Sequence, residues 1–165
     1  MARDAEHDRA ERAALLLLAY RARSIEEMRR SLDKKGFDQS VTGAVIDELV
    51  ARRLLDDDGF AYEWARVHAV HRLWSDARIA AGLRERGVSR EVIHRAIGRV
   101  REEFAEREAV ARIVAKKTDT ACKHGPHRAA TKKRLARNLM GRGFPPSIIY
   151  DAVHDMREDE SDNGK

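Results

Sequence analysis

Two short segments of the sequence carry residue types that bind metal ions. Asp56–Gly59 consists of three aspartates and a glycine, but it lacks the alternating ligands and the distal glutamate of an EF-hand. Cys122, His124 and His127 offer softer ligands, yet their spacing matches no zinc motif. We interpret the aspartates as the start of a helix, where carboxylates lie beside the positive end of the helix dipole. The second segment is interpreted as a polar loop before a helix.

Recognisable catalytic patterns are also missing from the sequence. His68 and His71 are three residues apart and would share a helix face, but no third ligand and no HExxH arrangement accompanies them. There is no Walker glycine loop and no GxSxG elbow. We therefore predict a protein that binds a partner, is not an enzyme, and uses no metal and no other cofactor.

Basic side chains form the clearest concentration of charge. Residues 123–142 include seven Lys or Arg residues and no Asp or Glu, and basic residues also crowd two earlier segments. In stacked helices these groups would align into a basic stripe that attracts a polyanion or an acidic protein surface. The predicted partner-binding or DNA-binding residues are Arg29, Arg30, Lys34, Lys35, Arg78, Arg84, Arg86, Arg128, Lys132, Lys133, Arg134, Arg137 and Arg142.

A repeated turn must position these charges. The pattern of a leucine, three residues, a glycine and an apolar residue occurs as LDKKGF at 32–37, LRERGV at 83–88 and LMGRGF at 139–144. The glycines at positions 36, 87 and 143 are 51 and 56 residues apart, which leaves room for about three helices per unit. If each glycine follows a helix in the left-handed conformation, the leucine and the apolar residue meet in a Schellman motif.

Helix starts lie at regular distances from these turns. Ser24, Ser75 and Thr131 stand eight residues before the three leucines and are capable N-caps, and Ser24 with Glu27 has the spacing of a capping box. For the third copy, a start as early as Pro126 is the alternative. The first helices are predicted at about 5–20, 57–73 and 102–117. The predicted units are repeat 1 at 1–55, repeat 2 at 56–101, repeat 3 at 102–156, and an acidic, disordered tail at 157–165.

Helix, glycine turn and helix is also the arrangement of a helix-turn-helix DNA reader. The charges argue against that use, because the candidate recognition helices of copies one and three carry Asp47 and Asp151, which DNA phosphates would repel. Only copy two, with basic residues including Arg95, suits the role.

Composition is consistent with an elongated all-α protein. Charged residues make up 37% of the 165 residues and hydrophobic residues 42%, so the chain should bury its apolar side chains as stripes along solvated helices. The formal net charge is +5. The chain has a single cysteine and its opening segment is unlike a secretory signal, so we predict a cytoplasmic protein. The longest apolar run, 13–20, is too short to span a membrane, so we predict no membrane segment.

The glycine-centred turns, the junction LLDDDGFA at 54–61, and Arg23 and Ser24 with Glu27 together resemble the RecX family of bacterial recombination regulators. The resemblance covers about residues 10–156. The segment 118–127 and the two prolines at 145–146 depart from the family pattern.

This resemblance implies three tandem three-helix repeats, related to winged-helix domains, that form an elongated, curved rod. It also implies a protein that docks in the groove of the RecA filament on single-stranded DNA, lowers its ATP hydrolysis and strand exchange, opposes filament growth, and so acts in DNA repair and recombination. We expect a monomer, with possible direct DNA contact. The alternative that the residues themselves support is a stand-alone DNA-binding module.

Overall fold

A computed structural model describes residues 2–122 and 128–155. Within these two ranges the chain forms nine α-helices and no strand, which confirms the all-α prediction. The helices are α1 Ala2–Tyr20, α2 Ile25–Asp33, α3 Gln39–Ala51, α4 Asp57–Val70, α5 Asp76–Glu85, α6 Arg90–Glu103, α7 Glu106–Cys122, α8 Arg128–Gly141 and α9 Pro146–Asp155. The predicted tail at 157–165 and the segment 123–127 lie outside the described residues.

The three glycine turns have the predicted geometry. Gly36, Gly87 and Gly143 have φ angles of 84°, 76° and 82°, in the left-handed region that favours glycine. In each turn the amide after the glycine donates to the carbonyl oxygen of the leucine that begins the repeated pattern, at 3.4, 3.2 and 3.2 Å. These are Schellman bonds, so the same local device ends α2, α5 and α8.

The described chain divides into two compact units. The first comprises the described residues up to Trp64 together with Gly82–Ala96, and the second comprises Ala65–Ala81 together with the described residues from Ile97 onwards. In the first unit, α1 packs on α2 and α3. Its core residues are Ala10, Ala14, Met28, Leu32, Val41, Val45, Ile46, Leu49 and Leu55.

In the second unit, α7 packs on α8 and α9. The apolar stripes of the three helices and the turn between α8 and α9 supply buried side chains, which include Ala109, Val110, Ile113, Leu135, Leu139, Phe144 and Ile149. Leu135 and Leu139 lie four residues apart on one face of α8, so the basic residues of that helix lie on its other faces.

Some predicted helix limits are wrong. The first helix of repeat 3 was expected to begin at about Glu102. Instead, α6 continues to Glu103 and α7 begins only at Glu106. The intervening Phe104 is buried and its amide donates to the carbonyl of Val100 at 2.8 Å, which extends the α6 end. Likewise, α8 as described begins at Arg128, before Thr131, so Thr131 is not its N-cap, and the alternative start at Pro126 lies outside the described residues.

Helix α4 also ends earlier than expected. It was predicted to reach Leu73 but ends at Val70, because Leu73 adopts a left-handed conformation with φ 53°. The amide of Trp74 donates to the carbonyl of His68 at 3.1 Å, six residues back, whereas the corresponding bond of the three glycine turns spans five residues, so this turn is wider by one residue.

Candidate partner-binding surface

Arginines from two separated parts of the chain line one open groove in the second unit. The groove has a volume of about 600 Å³. It lies between the end of α4, the start of α5 and the last turns of α8, and no carboxylate is among its lining residues. We call it the basic groove, and its lining residues are His71, Arg72, Trp74, Arg78, Arg137, Asn138, Gly141 and Arg142.

The strained turn at Leu73 positions the aromatic part of this groove. A leucine in the left-handed region costs about 1 kcal/mol relative to glycine, and burial of the Leu73 side chain offsets that cost. The turn places the Trp74 ring with its centroid 4.4 Å from that of the His68 ring. The Arg78 guanidinium lies 4.3 Å from the Trp74 ring centroid, a cation–π distance that orients this arginine on the groove wall.

A buried serine joins the two walls of the groove. Ser75 is the residue before α5, and its hydroxyl accepts from the amide of Arg78 at 3.3 Å and donates to the carbonyl of Arg142 at 2.8 Å. The Arg142 guanidinium donates to the carbonyl of Arg72 at 3.3 Å and to the side-chain oxygen of Asn138 at 3.2 Å. Arg142 is therefore engaged in holding the walls together, rather than free to bind a ligand.

A half-buried ionic cluster supports the start of α5 beneath the groove. The amide of Asp76 donates to a carboxylate oxygen of Glu106 at 2.9 Å. Burial raises the pKa of Glu106, and the nearby charge of Asp76 adds to that shift, while the hydrogen bond from the Asp76 amide and the charge of Arg101 oppose it. Arg101 pairs with Asp76 at 2.6 Å and donates to the carbonyl of Trp74 at 3.2 Å. Arg101 therefore holds the turn at the Trp74 carbonyl, and Glu106 holds it at the Asp76 amide.

Four other basic side chains of the groove are accessible to a ligand. The side chains of His71, Arg72, Arg78 and Arg137 are exposed. Planar guanidinium groups bind carboxylates and phosphates through paired N–H donors. The basic groove is therefore suited to bind anionic groups on a partner.

The predicted basic residues of α2 are largely engaged with carboxylates. Arg29 and Arg30 both pair with Glu26, at 3.6 and 2.9 Å. Arg86 lies 3.8 Å from Glu27 and donates to the carbonyl of Gly82 at 2.7 Å. Because carboxylates lie beside them, these three arginines are weaker candidates for binding an anion than the residues of the basic groove.

Other predicted residues lie outside the basic groove. Arg84, Lys34 and Lys35 are exposed in the first unit, and Lys133 and Arg134 are exposed on α8. Lys132 is partly buried on the same helix. Arg128 begins α8, but its side chain is not among those described. Of the thirteen predicted residues, the structure brings Arg78, Arg137 and Arg142 together in one groove.

Sequence reasoning missed five lining residues of the groove, namely His71, Arg72, Trp74, Asn138 and Gly141. A usable signal was present, because Trp74 directly precedes the predicted N-cap Ser75 and an arginine lies two residues earlier. This local pattern does not by itself define a groove, because the opposite wall must come from another segment. That second segment comes from α8, which is distant in sequence.

The three adjacent aspartates have separate structural roles. Asp57 is the first residue of α4, as the helix-start interpretation requires, and it accepts from the amide of Ile25 at 2.9 Å. Asp58 pairs with Arg95 at 2.7 Å. Arg95 lies on α6, the third helix of repeat 2, whose charges suited DNA reading. This arginine is thus engaged with a carboxylate.

The predicted histidine and cysteine groups do not assemble into a metal site in the described part of the chain. His68 contacts Trp74, whereas His71 lines the basic groove. His124 and His127 lie outside the described residues, as does the side chain of Cys122. Within the described ranges no cluster of three or more His, Cys, Asp or Glu side chains could hold a metal ion. None of the helices described is long and apolar enough to cross a membrane.

The described helices and the tandem three-helix domains place the chain in the class of all-α helical repeat proteins. The chain matches the family models for the first three-helix domain of RecX over residues 10–49 and for the second over residues 56–97. It belongs to the RecX family. The regulatory protein RecX of Corynebacterium efficiens is 33% identical over 162 residues, which is 95% of this chain and 77% of the relative. That of Mycolicibacterium smegmatis is 32% identical over 148 residues, which is 88% of this chain and 78% of the relative.

Solved structures have the same fold. The crystal structure of RecX from Lactobacillus salivarius is similar with a TM-score of 0.81 at 18% identity, covering 93% of this chain and 98% of that one. A second crystal structure, of a regulatory protein RecX, has a TM-score of 0.76 at 19% identity and covers 93% of this chain and 74% of its own.

Proposed function

We propose that this protein binds the RecA filament on single-stranded DNA and lowers RecA's ATP hydrolysis, strand exchange and filament growth. Membership of a family of regulatory proteins supports this role, as does a surface built to bind anionic groups. In this proposal the protein acts in the cytoplasm as a monomer, without catalysing a reaction and without a cofactor. Its proposed repeats are 1–55, 56–101 and 102–156.

One observation carries the proposal to particular residues. Arg78 on α5 and Arg137 on α8 line the same open groove, and none of its lining residues is acidic. Because both side chains are exposed, they can reach a partner without breaking the ion pairs that hold the fold. The basic groove is thus the part of the described surface that we assign to the filament.

The test is RecA's ATP hydrolysis on single-stranded DNA as purified protein is added. The wild type should reduce hydrolysis in proportion to its concentration, and Arg78→Glu with Arg137→Glu should weaken that reduction by about tenfold or more, because two favourable contacts become repulsive. Arg9→Glu with Arg90→Glu is the matched control, since both residues are exposed and the change in net charge is the same.

Two results would contradict different parts of the proposal. If the wild type leaves hydrolysis unchanged at several concentrations, the proposed function is wrong. If the groove variant inhibits as well as the control variant, the function stands but the basic groove is not the contact surface. Circular dichroism of both variants should match the wild type, because the four side chains are exposed.

Stand-alone DNA binding is the second candidate, favoured by the arginine lining of the basic groove. Binding to bare DNA would then weaken steeply with salt, since each phosphate contact releases counterions. A flat salt response, or binding only in the presence of RecA, rejects this candidate.

A further inference from the structure

An apolar groove lies beside the basic groove in the second unit. It has a volume of about 430 Å³, and we call it the apolar groove. Buried Phe144 and Ile149 are among its walls, whereas Met140 and Tyr150 are 66% and 68% exposed. Its complete lining is Ala136, Met140, Phe144, Pro146, Ile149, Tyr150 and Val153. Large apolar side chains exposed together around a groove are typical of a surface that a partner covers.

Helix α8 belongs to both grooves. Ala136 and Met140 line the apolar groove, and the residues that follow them, Arg137 and Gly141, line the basic groove. Each pair is four residues apart, so each forms a stripe along the helix, and the two stripes are separated by about 100° around its axis. On a helix about 10 Å in diameter the two grooves therefore open within about 10 Å of each other. A single short segment of a partner can reach both.

Charge around α8 favours an acidic partner. Lys133 is exposed and lies on the same stripe as Arg137, one turn earlier. The carboxylate of Asp151 on α9 pairs with Arg107 at 3.3 Å, so it is partly neutralised. A segment lying across α8 would meet cations on one side and the apolar groove on the other.

The side chains that line the apolar groove favour a protein over a nucleic acid as that partner. Aliphatic side chains such as Ile149 and Val153 form much of its lining, and a cavity of this kind takes an inserted aliphatic or aromatic side chain. Nucleic acid bases are recognised instead by stacking on flat aromatic faces beside a basic track. Phosphates alone would leave the apolar groove unfilled.

We propose that α8 docks an acidic protein segment that inserts one large apolar side chain into the apolar groove and places flanking carboxylates against Arg137 and Lys133. This inference deepens the proposed function and rests on it, because it takes the regulated partner to be a protein whose surface presents such a segment. The apolar anchor would supply most of the affinity, and the arginine and lysine would select an acidic context.

Fluorescence anisotropy with the full chain tests this proposal without RecA. The probe is a fluorescein-labelled synthetic peptide in which one phenylalanine lies between runs of glutamate, and the reference is the same peptide with alanine in place of phenylalanine. The anchored peptide should bind at least about tenfold more tightly than the reference. Met140→Glu should reduce its affinity about tenfold, and Arg137→Glu should reduce the affinity for both peptides.

Leu16→Glu is the matched control, because Leu16 is 74% exposed on α1 in the first unit and its replacement makes the same chemical change. Tyr150→Ser serves as a second variant of the apolar groove. The proposal is overturned if neither peptide binds, if both peptides bind equally well, or if Met140→Glu and Tyr150→Ser both bind the anchored peptide like the Leu16→Glu control. It is also overturned if only an oligo-dT strand binds.

The RecA assay separates this proposal from the proposed function. If the wild type inhibits RecA but the peptide does not bind, the function stands and the docking proposal fails. If the anchored peptide binds with the expected variant effects but RecA is not inhibited, the docking surface stands and its partner is a protein other than RecA.

Discussion

The hydroxyl of Ser24 donates a hydrogen bond to the backbone carbonyl of Arg86, which lies 62 residues away in the chain. The same hydroxyl accepts from the amide of Glu27 at 3.1 Å, so one buried side chain caps α2 and satisfies the glycine turn after α5. Ser75 has the equivalent relationship with Arg142 in the second unit. An N-cap serine bonded to the turn of a later helix is therefore a repeated device of this fold.

A carboxylate completes the device in both places. Asp57, the first residue of α4, accepts from the amide of Ile25 at the start of α2. Glu106, the first residue of α7, accepts from the amide of Asp76 at the start of α5. Amides in the first turn of a helix lack intrahelical partners, so a serine and a carboxylate together satisfy donors that would otherwise be buried without a bond.

Ser24→Ala should lower the free energy of unfolding by about 2 kcal/mol, because it removes a cap worth about 1 kcal/mol and leaves the Arg86 carbonyl without this donor. Ser89→Ala is the control, since Ser89 is an exposed cap whose hydroxyl accepts from Val92 at 3.3 Å. Urea denaturation measures both variants. Equal losses in the two variants would show that the bond to Arg86 contributes nothing to stability.

Gly87→Ala should destabilise the protein by more than the roughly 1 kcal/mol expected for a left-handed alanine. A methyl group on Gly87 would overlap with Cβ and Cγ of Glu26, and Cβ cannot swing away. We expect a loss of about 2 to 3 kcal/mol, as for other overpacked sites. Gly36→Ala is the control, because nothing lies within 4 Å of a Cβ atom placed there. Indistinguishable thermal midpoints for the two variants would contradict this packing argument.

Glu27→Gln should destabilise the protein near neutral pH and have a smaller effect in acid. Burial alone would raise the pKa of Glu27, but its hydrogen bond and ion pair with Arg21, the Ser24 amide and the charge of Arg86 outweigh burial and lower it. The ionised carboxylate therefore adds stability above its ordinary pKa of 4.5, and that stability is lost as the pH falls through the lowered value. Urea midpoints at about pH 7 and about pH 3 measure the difference.

Asp57→Asn provides a comparison of opposite sign. Burial raises the pKa of Asp57, the Ile25 amide opposes that shift, and the neighbouring Asp56 and Asp58 add to it. A raised pKa means that ionisation costs stability as the pH rises through the folded value. The asparagine keeps an acceptor for the Ile25 amide without a buried charge, so it should not share the neutral-pH loss of Glu27→Gln. A parallel loss in both variants would refute the assigned causes.

Arg53→Gly should raise the free energy of unfolding by up to about 1 kcal/mol, because Arg53 has a φ of 55° and glycine adopts that conformation without strain. Arg53 is exposed, so little packing is lost. Leu73→Gly compares relieved backbone strain with lost burial, since Leu73 has a φ of 53° but its side chain is buried. Lost burial of about 1.5 to 3 kcal/mol should outweigh the relieved strain there. Destabilisation by Arg53→Gly in urea would show that its left-handed conformation carries no such cost.

The turns were predictable because their chemistry is local. A Schellman motif joins residues five apart in sequence, and its left-handed glycine is a type-specific requirement, so Gly36, Gly87 and Gly143 could be assigned without coordinates. The conformation of Leu73 was not predicted, because leucine as a residue type gives no indication of a positive φ. Its conformation depends on burial of its side chain, which is a property of the folded unit.

The candidate site was only partly predictable, for a related reason. The basic character of α8 is visible in its composition, but that composition does not distinguish Arg137, which faces a groove, from Arg134, which does not. By contrast, the pairing of Arg29 and Arg30 with Glu26 spans only three and four residues of α2, so it was already visible in the sequence.

The sequence by itself therefore determined the helices, the three glycine turns, the serine cap of α2 and the basic bias of α8. Each of these depends on residues within about two helical turns of one another, where spacing alone decides which groups can meet. Only the tertiary structure decided that Trp74 and Arg78 would face Arg137, and that Ser24 and Ser75 would bond to carbonyls far along the chain. Those contacts join segments more than fifty residues apart, and they form because burying the apolar stripes of the helices brings otherwise distant polar groups into reach.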